Sequence, residues 1–308
     1  MRFIKPKFWE KKYNFFSIFL APLSLLILIY VYVKKKITKS LKFEVPIICV
    51  GNIYIGGTGK TPTSLFIANE LKKLGKNPVI VRKFYKGHVD EHNLMKEKFN
   101  DLILDKDRVL AIKKAQKLGY DIIILDDGFQ DRKIKKDLSI ICFNQNQLIG
   151  NGFVLPAGPL RESLGALKDA NVVLINGKKD DSFEKKILSI NKNLYIFYSD
   201  YIPANLDEFK NKKLLAVAGI GNPENFFKML EENKLIVEKK VVYPDHYQFT
   251  TKEFKNIVEE AEKRNLKIIM TEKDFFKIKD LELKKNGFLK ISLKIKKHND
   301  FLNLLKKL

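Results

Sequence analysis

The segment from Val45 to Thr63 constrains the fold more than any other part of the chain, because it has the pattern of a phosphate-binding loop. A short apolar run is followed by Gly-Gly-Thr-Gly-Lys-Thr and then by apolar residues at helical spacing. Glycines let the backbone turn several N–H groups toward phosphate oxygens, and a helix N-terminus adds partial positive charge. In such loops the lysine reaches the terminal phosphates and the hydroxyl takes a Mg²⁺ position. The pattern therefore predicts nucleotide binding by Gly56, Gly57, Thr58, Gly59, Lys60 and Thr61.

One position departs from the usual motif, since Tyr54 stands where a glycine is expected five residues before Gly59. Gly56 and Gly57 must then supply the tight turn. The alternative is an ordinary glycine-rich turn between a strand and a helix. The strand pattern before the loop and the helix pattern after it favour the phosphate loop.

Apolar runs alternate with helical patterns after the loop, which is typical of a doubly wound α/β sheet. We predict helices at 64–74 and 109–118 and strands at 78–81, 121–125 and 138–143. A second series of strand and helix patterns begins near Lys213. We therefore predict a phosphate-loop NTPase-like doubly wound sheet, a second, smaller α/β domain and an N-terminal hydrophobic membrane helix. The predicted divisions are 1–40 for the membrane-associated helix, 41–209 for the phosphate-loop domain and 210–308 for the C-terminal domain.

Two acidic pairs follow predicted strands, where ligands bind in such sheets. Asp126 and Asp127 come directly after an apolar strand, at the place of the second Mg²⁺ contact in phosphate-loop enzymes. Asp90 and Glu91 follow the strand at 78–81. That pair could accept a proton from an attacking hydroxyl, or it could be a solvated part of the loop.

A long loop at residues 150–162, rich in glycine and proline, ends in Arg161 and Glu162. Ordered loops of this length usually have a role. Arg161 is a candidate to neutralise charge on a transferring phosphate, as an arginine finger within the chain.

The N-terminus contains an uncharged apolar run from Phe15 to Val33 with lysines on both sides. Its length fits a spanning helix, which needs about 20 apolar residues. A cleaved signal peptide is disfavoured because three lysines follow the run in place of a cleavage site. A spanning helix and a helix lying in the interface both stay open. Because the phosphate loop follows closely, we expect the catalytic body beside the bilayer on the cytoplasmic side.

The chain of 308 residues carries a formal net charge of +22, which favours polyanionic partners. Nucleic acid is disfavoured, since no aromatic and basic recognition motif accompanies the charge. Cys49 and Cys142 lie far apart in apolar runs, so neither a disulfide framework nor a cysteine-ligated metal site is expected. The C-terminal run at 301–305 is compatible with a membrane-touching helix or a core-packing end helix.

An ordered set of motifs resembles the tetraacyldisaccharide 4'-kinase family, the lipid A kinases of Gram-negative bacteria. Its members here are Gly-Asn-x-x-x-Gly-Gly-Thr-Gly-Lys-Thr-Pro, Asp-Asp-Gly-Phe-Gln, Leu-Pro-Ala-Gly-Pro-Leu-Arg-Glu, Ala-Gly-Ile-Gly-Asn-Pro, Asp-His-x-x-Phe and Thr-Glu-Lys-Asp, running from Gly51 to Asp274. The resemblance implies transfer of the ATP γ-phosphate to the 4'-hydroxyl of a lipid A disaccharide 1-phosphate precursor. It also implies an anionic inner-membrane surface as a partner, and we expect a monomer.

The resemblance also implies roles for individual residues. Asp90 is expected to act as general base with His246 from the second domain. Lys60 and Thr61 are expected to hold phosphate and Mg²⁺, with Asp126 and Asp127 supporting the metal. Arg161 and Glu162 are expected to order the nucleotide end of the site.

Two positions depart from the family pattern. His88-Val89-Asp90-Glu91-His92 stands where the family usually has Val-Gly-Asp-Glu-Pro, and Asp131 stands where a histidine is common. A rival interpretation is a membrane-associated phosphate-loop ATPase that positions protein partners. Such partitioning ATPases have a lysine directly before the paired glycines, and Ile55 at that position counts against them.

Overall fold

A computed structural model describes residues 5–12, 14–86, 89–244, 247, 249–278 and 287–308, with the backbone alone at residues 89–91. The described residues form two compact units. The phosphate-loop unit contains Lys5–Phe84, Phe99–Asp200 and Leu293–Leu308, and the second unit contains Tyr85–Lys98 and Tyr201–Ser292.

The helices and strands follow the chain in a largely alternating order. The helices are α1 (Phe15–Ile37), α2 (Lys60–Lys73), α3 (Val89–Lys98), α4 (Arg108–Lys117), α5 (Asp181–Leu188), α6 (Pro223–Glu232), α7 (Thr251–Lys263), α8 (Glu272–Ile278) and α9 (His298–Leu305). The strands are β1 (Ile47–Gly51), β2 (Pro78–Lys83), β3 (Leu102–Asp105), β4 (Ile122–Asp126), β5 (Leu138–Asn144), β6 (Val172–Asn176), β7 (Tyr195–Pro203), β8 (Lys213–Ala218), β9 (Ile236–Val242), β10 (Lys267–Thr271), β11 (Gly287–Leu289) and β12 (Ile291–Ile295).

The first sheet has the strand order β12-β7-β6-β5-β1-β4-β2-β3 in the described part of the chain. Its strands from β3 to β7 pair in parallel. Every residue of β1, β4 and β5 is buried, as expected for central strands covered on both faces. The register places Val50 of β1 and Arg82 of β2 on either side of Asp126 in β4. The predicted doubly wound sheet is confirmed, and its carboxyl edge gathers the loop, Arg82 and the acidic pair.

The second unit has its own parallel sheet, with the strand order β11-β10-β8-β9. Buried Asp274 of α8 fixes the turn after β8, because its Oδ2 accepts the Gly219 N–H at 2.7 Å and the Thr271 hydroxyl at 2.6 Å. Lys277 lies 2.7 Å from the other oxygen of Asp274 and has no exposed side-chain surface. The Thr-Glu-Lys-Asp motif therefore has a structural role in this unit.

The compact units divide the chain differently from the linear domains expected from sequence. Helix α3 packs on α8 of the second unit, where Lys98 forms an ion pair with Glu272. After its first passage at Tyr85–Lys98, the chain enters the second unit again within β7 and leaves it within β12, and α9 then packs in the phosphate-loop unit. Phe301 of α9 is buried, with its ring 5.2 Å from that of Phe197. The C-terminal run is therefore a core-packing helix. The division into 1–40, 41–209 and 210–308 stays a prediction.

Helix α1 is long and apolar enough to cross a membrane, and most of its surface is exposed. Its exposed apolar residues are Phe15, Phe16, Ile18, Phe19, Leu23, Leu25, Leu26, Ile29, Tyr30, Tyr32, Val33 and Ile37. Its buried residues are Ser17 and Ser24, which face the loop at 150–162. At the far end of the helix, Lys35 forms an ion pair with Asp169. The helix therefore contacts the phosphate-loop unit from its first turn to its last.

Candidate active site

The loop at residues 52–59 connects β1 to α2 and has the backbone that its glycines predict. Gly56, Gly57 and Gly59 have φ values of 74°, 60° and 88°, a region that glycine adopts without strain. Gly59 is the N-cap of α2, so the first N–H groups of that helix, which have no acceptor within the helix, face the loop. The buried Thr58 hydroxyl accepts a hydrogen bond of 2.8 Å from the Asn52 side chain, which fixes the base of the loop.

Tyr54, which replaces the first glycine of the usual motif, is a core residue. Its side chain is buried with Val154 and Leu160, and Ile27 and Leu28 of α1 pack against this cluster. Tyr54 also forms a backbone bridge with Leu160. The departure from the motif therefore attaches the phosphate loop to the 150–162 loop and to α1.

Asp126 ends β4 fully buried and is held on both of its oxygens. Its Oδ1 accepts the Ser64 hydroxyl at 2.9 Å, and its Oδ2 lies 2.7 Å from Nη1 of Arg82. The same Nη1 donates to the Thr61 hydroxyl at 3.2 Å. Burial raises the pKa of Asp126, while the Arg82 guanidinium and the Ser64 hydrogen bond favour its charged form. The Arg82 guanidinium thus links Thr61 of the phosphate loop to the Asp126 carboxylate at the end of β4.

Asp127 forms ion pairs with two cations, Lys60 at the start of α2 and Arg161. It has a φ of 57°, in a left-handed region that aspartate adopts more readily than most residues. Its Oδ1 lies 2.9 Å from Nη1 of Arg161 and 3.5 Å from Nζ of Lys60. Burial alone would raise the pKa of Asp127, but the charges of Lys60, Arg161 and Arg108 outweigh burial and lower the pKa to about 2. Asp127 is therefore ionised at neutral pH.

Arg161 reaches this cluster because its backbone pairs with the phosphate loop. The Arg161 N–H donates to the Ile53 carbonyl at 2.7 Å, and the Ile55 N–H donates to the Pro159 carbonyl at 3.0 Å. The next residue, Glu162, is 5% exposed and lies 2.5 Å from Nη2 of Arg132. Neighbouring residues of one loop therefore contribute a cation beside Asp127 and a buried carboxylate bound to another arginine.

The family profile described as Tetraacyldisaccharide-1-P 4'-kinase matches residues 16–308 of the chain. The chain belongs to this family. It is 41% identical over 312 residues to the tetraacyldisaccharide 4'-kinase of Pelagibacter ubique, covering 100% of this chain and 99% of that protein. It is 30% identical over 296 residues to the tetraacyldisaccharide 4'-kinase of a Bradyrhizobium species, covering 89% of this chain and 85% of that protein.

A solved structure extends the similarity to three dimensions. The crystal structure described as the apo form of LpxK from Aquifex aeolicus in complex with ATP has a TM-score of 0.73 and 25% sequence identity, covering 94% of this chain and 98% of that one. Membership of the tetraacyldisaccharide 4'-kinase family makes this chain an ATP-dependent kinase of lipid A biosynthesis, as its motifs predicted. The alternative of an ATPase that positions partners is not favoured.

The structure brings together five of the site residues predicted from the sequence: Lys60, Thr61, Asp126, Asp127 and Arg161. Glu162 is buried in its ion pair with Arg132. The Asp90 side chain and His246 lie outside the described residues.

Two arginines of this kinase were missed by sequence reasoning. Arg82 lies one residue beyond the predicted strand at 78–81, and Arg108 lies one residue before the predicted helix at 109–118. Arg108 donates to the Asp127 carbonyl at 2.6 Å and lies 3.4 Å from Oδ2 of Asp131. Asp131, at the position where the family commonly has histidine, thus pairs with an arginine that also fixes the backbone of Asp127. The sequence does contain a signal for both residues, since each is a cation directly at the end of a predicted strand or the start of a predicted helix.

The chemistry of the donor set fits Mg²⁺. Mg²⁺ prefers oxygen ligands and keeps several waters and phosphate oxygens, so one or two protein carboxylates suffice. Thr61, Asp126 and Asp127 supply a hydroxyl and two carboxylates around the start of α2. Among the described residues no group of three or more His, Cys, Asp or Glu side chains forms a protein-only metal cage. A site completed by nucleotide phosphates agrees with both observations.

Proposed function

We propose that Lys60 and Arg161 are the cations that neutralise the transferring γ-phosphate of ATP in this kinase. The observation that carries the proposal is the carboxylate oxygen of Asp127 that both cations share, at the N-terminus of the helix after the phosphate loop. An alcohol is a poor nucleophile at neutral pH, so alignment and charge neutralisation must supply most of the catalysis. The ATP in the Aquifex aeolicus LpxK structure supports ATP as the donor here. We propose that residues 56–61 and Glu162 bind it.

Mg²⁺ is the proposed metal, held by Thr61 and the two carboxylates Asp126 and Asp127. Bound there, Mg²⁺ would neutralise negative charge that develops on the transferring phosphate. Arg82 orients the Thr61 hydroxyl and the Asp126 carboxylate, because a single Nη1 contacts both. Asp127 stays anionic because nearby cations lower its pKa to about 2, although burial opposes them.

Asp90, working with His246, is the proposed general base for the acceptor hydroxyl. Support comes from the family motifs at both positions and from the location of Asp90 in the first turn of α3. Helix α3 belongs to the same compact unit as α7.

For the membrane helix we propose an orientation in the interface of the inner membrane, with the catalytic units on the cytoplasmic side. Helix α1 contacts the phosphate-loop unit at Ser17 and again at Lys35, 18 residues later, a rise of about 27 Å along the axis. A spanning orientation would carry the ion pair of Lys35 with Asp169 to a different membrane depth from the Ser17 contact. A helix that lies along one membrane surface, with its apolar face in the lipid and its basic ends at the headgroups, can make both contacts.

The substrate under this proposal is the lipid A disaccharide 1-phosphate precursor, presented from the same membrane surface, and the enzyme acts as a monomer. The exposed apolar residues of α1 would sit among the acyl chains, next to the acceptor. Lysines at both helix ends would add attraction to anionic lipid, about 1 kcal/mol for each.

The experiment for the base is Asp90→Asn, with Glu91→Gln as the matched control. We expect Asp90→Asn to lower kcat for acceptor phosphorylation at least about a hundredfold and to leave the Kd for ATP within about twofold, since proton transfer contributes only in the transition state. Glu91→Gln should retain kcat. Equal losses of kcat and of ATP binding in Asp90→Asn would assign that residue to the structure or the metal instead.

A further inference from the structure

The apolar helix α1 contains a serine whose hydroxyl is bound on two sides by another part of the chain. Ser24 is 3% exposed, in contrast to the residues around it, of which Leu23 and Leu25 are more than half exposed. Its hydroxyl donates to the Val154 carbonyl at 2.7 Å and accepts the Ala157 N–H at 3.1 Å. The hydroxyl therefore fixes two points of the 150–162 loop.

The loop held by Ser24 is a closed turn. The Leu155 N–H donates to the Leu160 carbonyl at 2.8 Å, and the Gly158 N–H donates to the Val154 carbonyl at 3.1 Å. Ser24 reaches both sides of this turn, at Val154 and at Ala157. The position of Ser24 consequently fixes the turn, and with it the backbone that leads to Arg161.

A second fastening comes from the segment before α1. The indole Nε1 of Trp9 donates to the Pro156 carbonyl at 3.0 Å, and the Asn151 N–H donates to the Trp9 carbonyl at 2.8 Å. Trp9 is 3% exposed. Trp9 of the N-terminal segment and Ser24 of α1 thus both form hydrogen bonds with the same turn.

From the turn, the path to the site is short. Pro159 and Arg161 pair with the backbone of Ile55 and Ile53 in the phosphate loop, and the guanidinium of Arg161 then lies 2.9 Å from Asp127. Each link is a hydrogen bond or ion pair between described residues of one compact unit. A shift of the turn would move the arginine relative to Lys60.

We infer that Ser24 is a positioning residue for Arg161. Through Ser24, docking of the membrane helix sets the placement of the catalytic arginine, so the rate of phosphate transfer depends on how α1 is seated. The inference rests on the proposed role of Arg161 in neutralising the γ-phosphate.

The test is a double-mutant cycle of Ser24→Ala and Arg161→Ala in the full-length protein, assayed with ATP and the disaccharide acceptor in phospholipid vesicles. Losing the hydroxyl leaves the buried Ala157 N–H without its acceptor and removes one of the two donors to the Val154 carbonyl. We expect kcat to fall about tenfold with the KM for ATP within about twofold. In the Arg161→Ala background the serine change should have no further effect, because its effect acts through the arginine. Ser24→Thr, which keeps a hydroxyl, should restore most of kcat.

The matched control is Thr38→Ala, which removes a hydroxyl from the end of α1 that bonds only to the helix's own Lys34 carbonyl among the described contacts. It should leave kcat unchanged. An unchanged kcat in Ser24→Ala, or the same fold loss with and without Arg161, would overturn the inference. Full kcat in Arg161→Ala alone would instead overturn the proposed role of the arginine.

Trp9→Phe provides an independent variant should Ser24→Ala unfold below the assay temperature. It removes the Nε1 donor to Pro156 and keeps an aromatic ring. We expect a smaller loss of kcat, again without further effect in the Arg161→Ala background. Additive losses would contradict the coupling.

Discussion

Replacing Arg82 by methionine tests the buried ion pair that links β2 to the end of β4. Arg82 is 7% exposed, Asp126 is fully buried, and their nearest atoms lie 2.7 Å apart. The substitution leaves a buried carboxylate that still accepts a hydrogen bond from the Ser64 hydroxyl. Removing one partner of a buried pair typically costs about 3–5 kcal/mol.

This cost gives a measurable change in thermal stability. For a unit of this size 1 kcal/mol corresponds to about 2–4 °C, so we expect Tm to fall by roughly 6–20 °C. Differential scanning calorimetry measures the shift. The matched control is Lys113→Met on the exposed face of α4, which should change stability by no more than about 0.5 kcal/mol.

Two further results distinguish a charge effect from lost packing. Adding Asp126→Asn to Arg82→Met should recover part of the Tm, because a buried amide costs less than a buried unpaired carboxylate. The penalty of Arg82→Met should also shrink as the pH falls, since Asp126 then takes up a proton. A Tm drop that is the same at all pH values and unaffected by Asp126→Asn would refute the reasoning.

The remaining predictions concern Asp127 and the membrane face. Because the pKa of Asp127 is lowered from 3.8 to about 2, its charge adds stability that is fully present above pH 3.8 and lost as the pH falls toward 2. In urea titrations Asp127→Asn should be less stable than the parent by about 2 kcal/mol at pH 6, with a gap that closes toward pH 2; a gap independent of pH would contradict this. Leu26→Asp, at a side chain 63% exposed on α1, should weaken sedimentation with anionic vesicles at least about tenfold, whereas Leu110→Asp on α4 should not. Equal losses for the two leucines would show that α1 has no special contact with lipid.

Local signals were sufficient to predict the phosphate loop and the strands around it. Glycines that need positive φ, apolar runs and helical spacing are all read within about 20 residues, and α2, β2, α4, β4 and β5 lie where these signals placed them to within a few residues. The acidic pair at 126–127 was found for the same reason, since a carboxylate directly after a buried strand is a local pattern.

Arg82 could not be assigned from local pattern because its role depends on strand register. It is 44 residues from Asp126 in sequence and is brought beside it only by the parallel pairing of β2 with β4. Arg108 is likewise linked to Asp127 by tertiary packing alone. The grouping of α3 with α8 depends on contacts between segments about 180 residues apart, which neither composition nor periodicity encodes.

The central claim is that Lys60 and its loop deliver the ATP γ-phosphate to a lipid A disaccharide. The most direct measurement follows label from γ-labelled ATP into tetraacyldisaccharide 1-phosphate in vesicles, comparing the parent with Lys60→Met. We expect a product that has gained one phosphate at the 4'-position, formed at least about a hundredfold more slowly by the variant. Unlabelled acceptor with the parent enzyme, or undiminished transfer by Lys60→Met, would contradict the account.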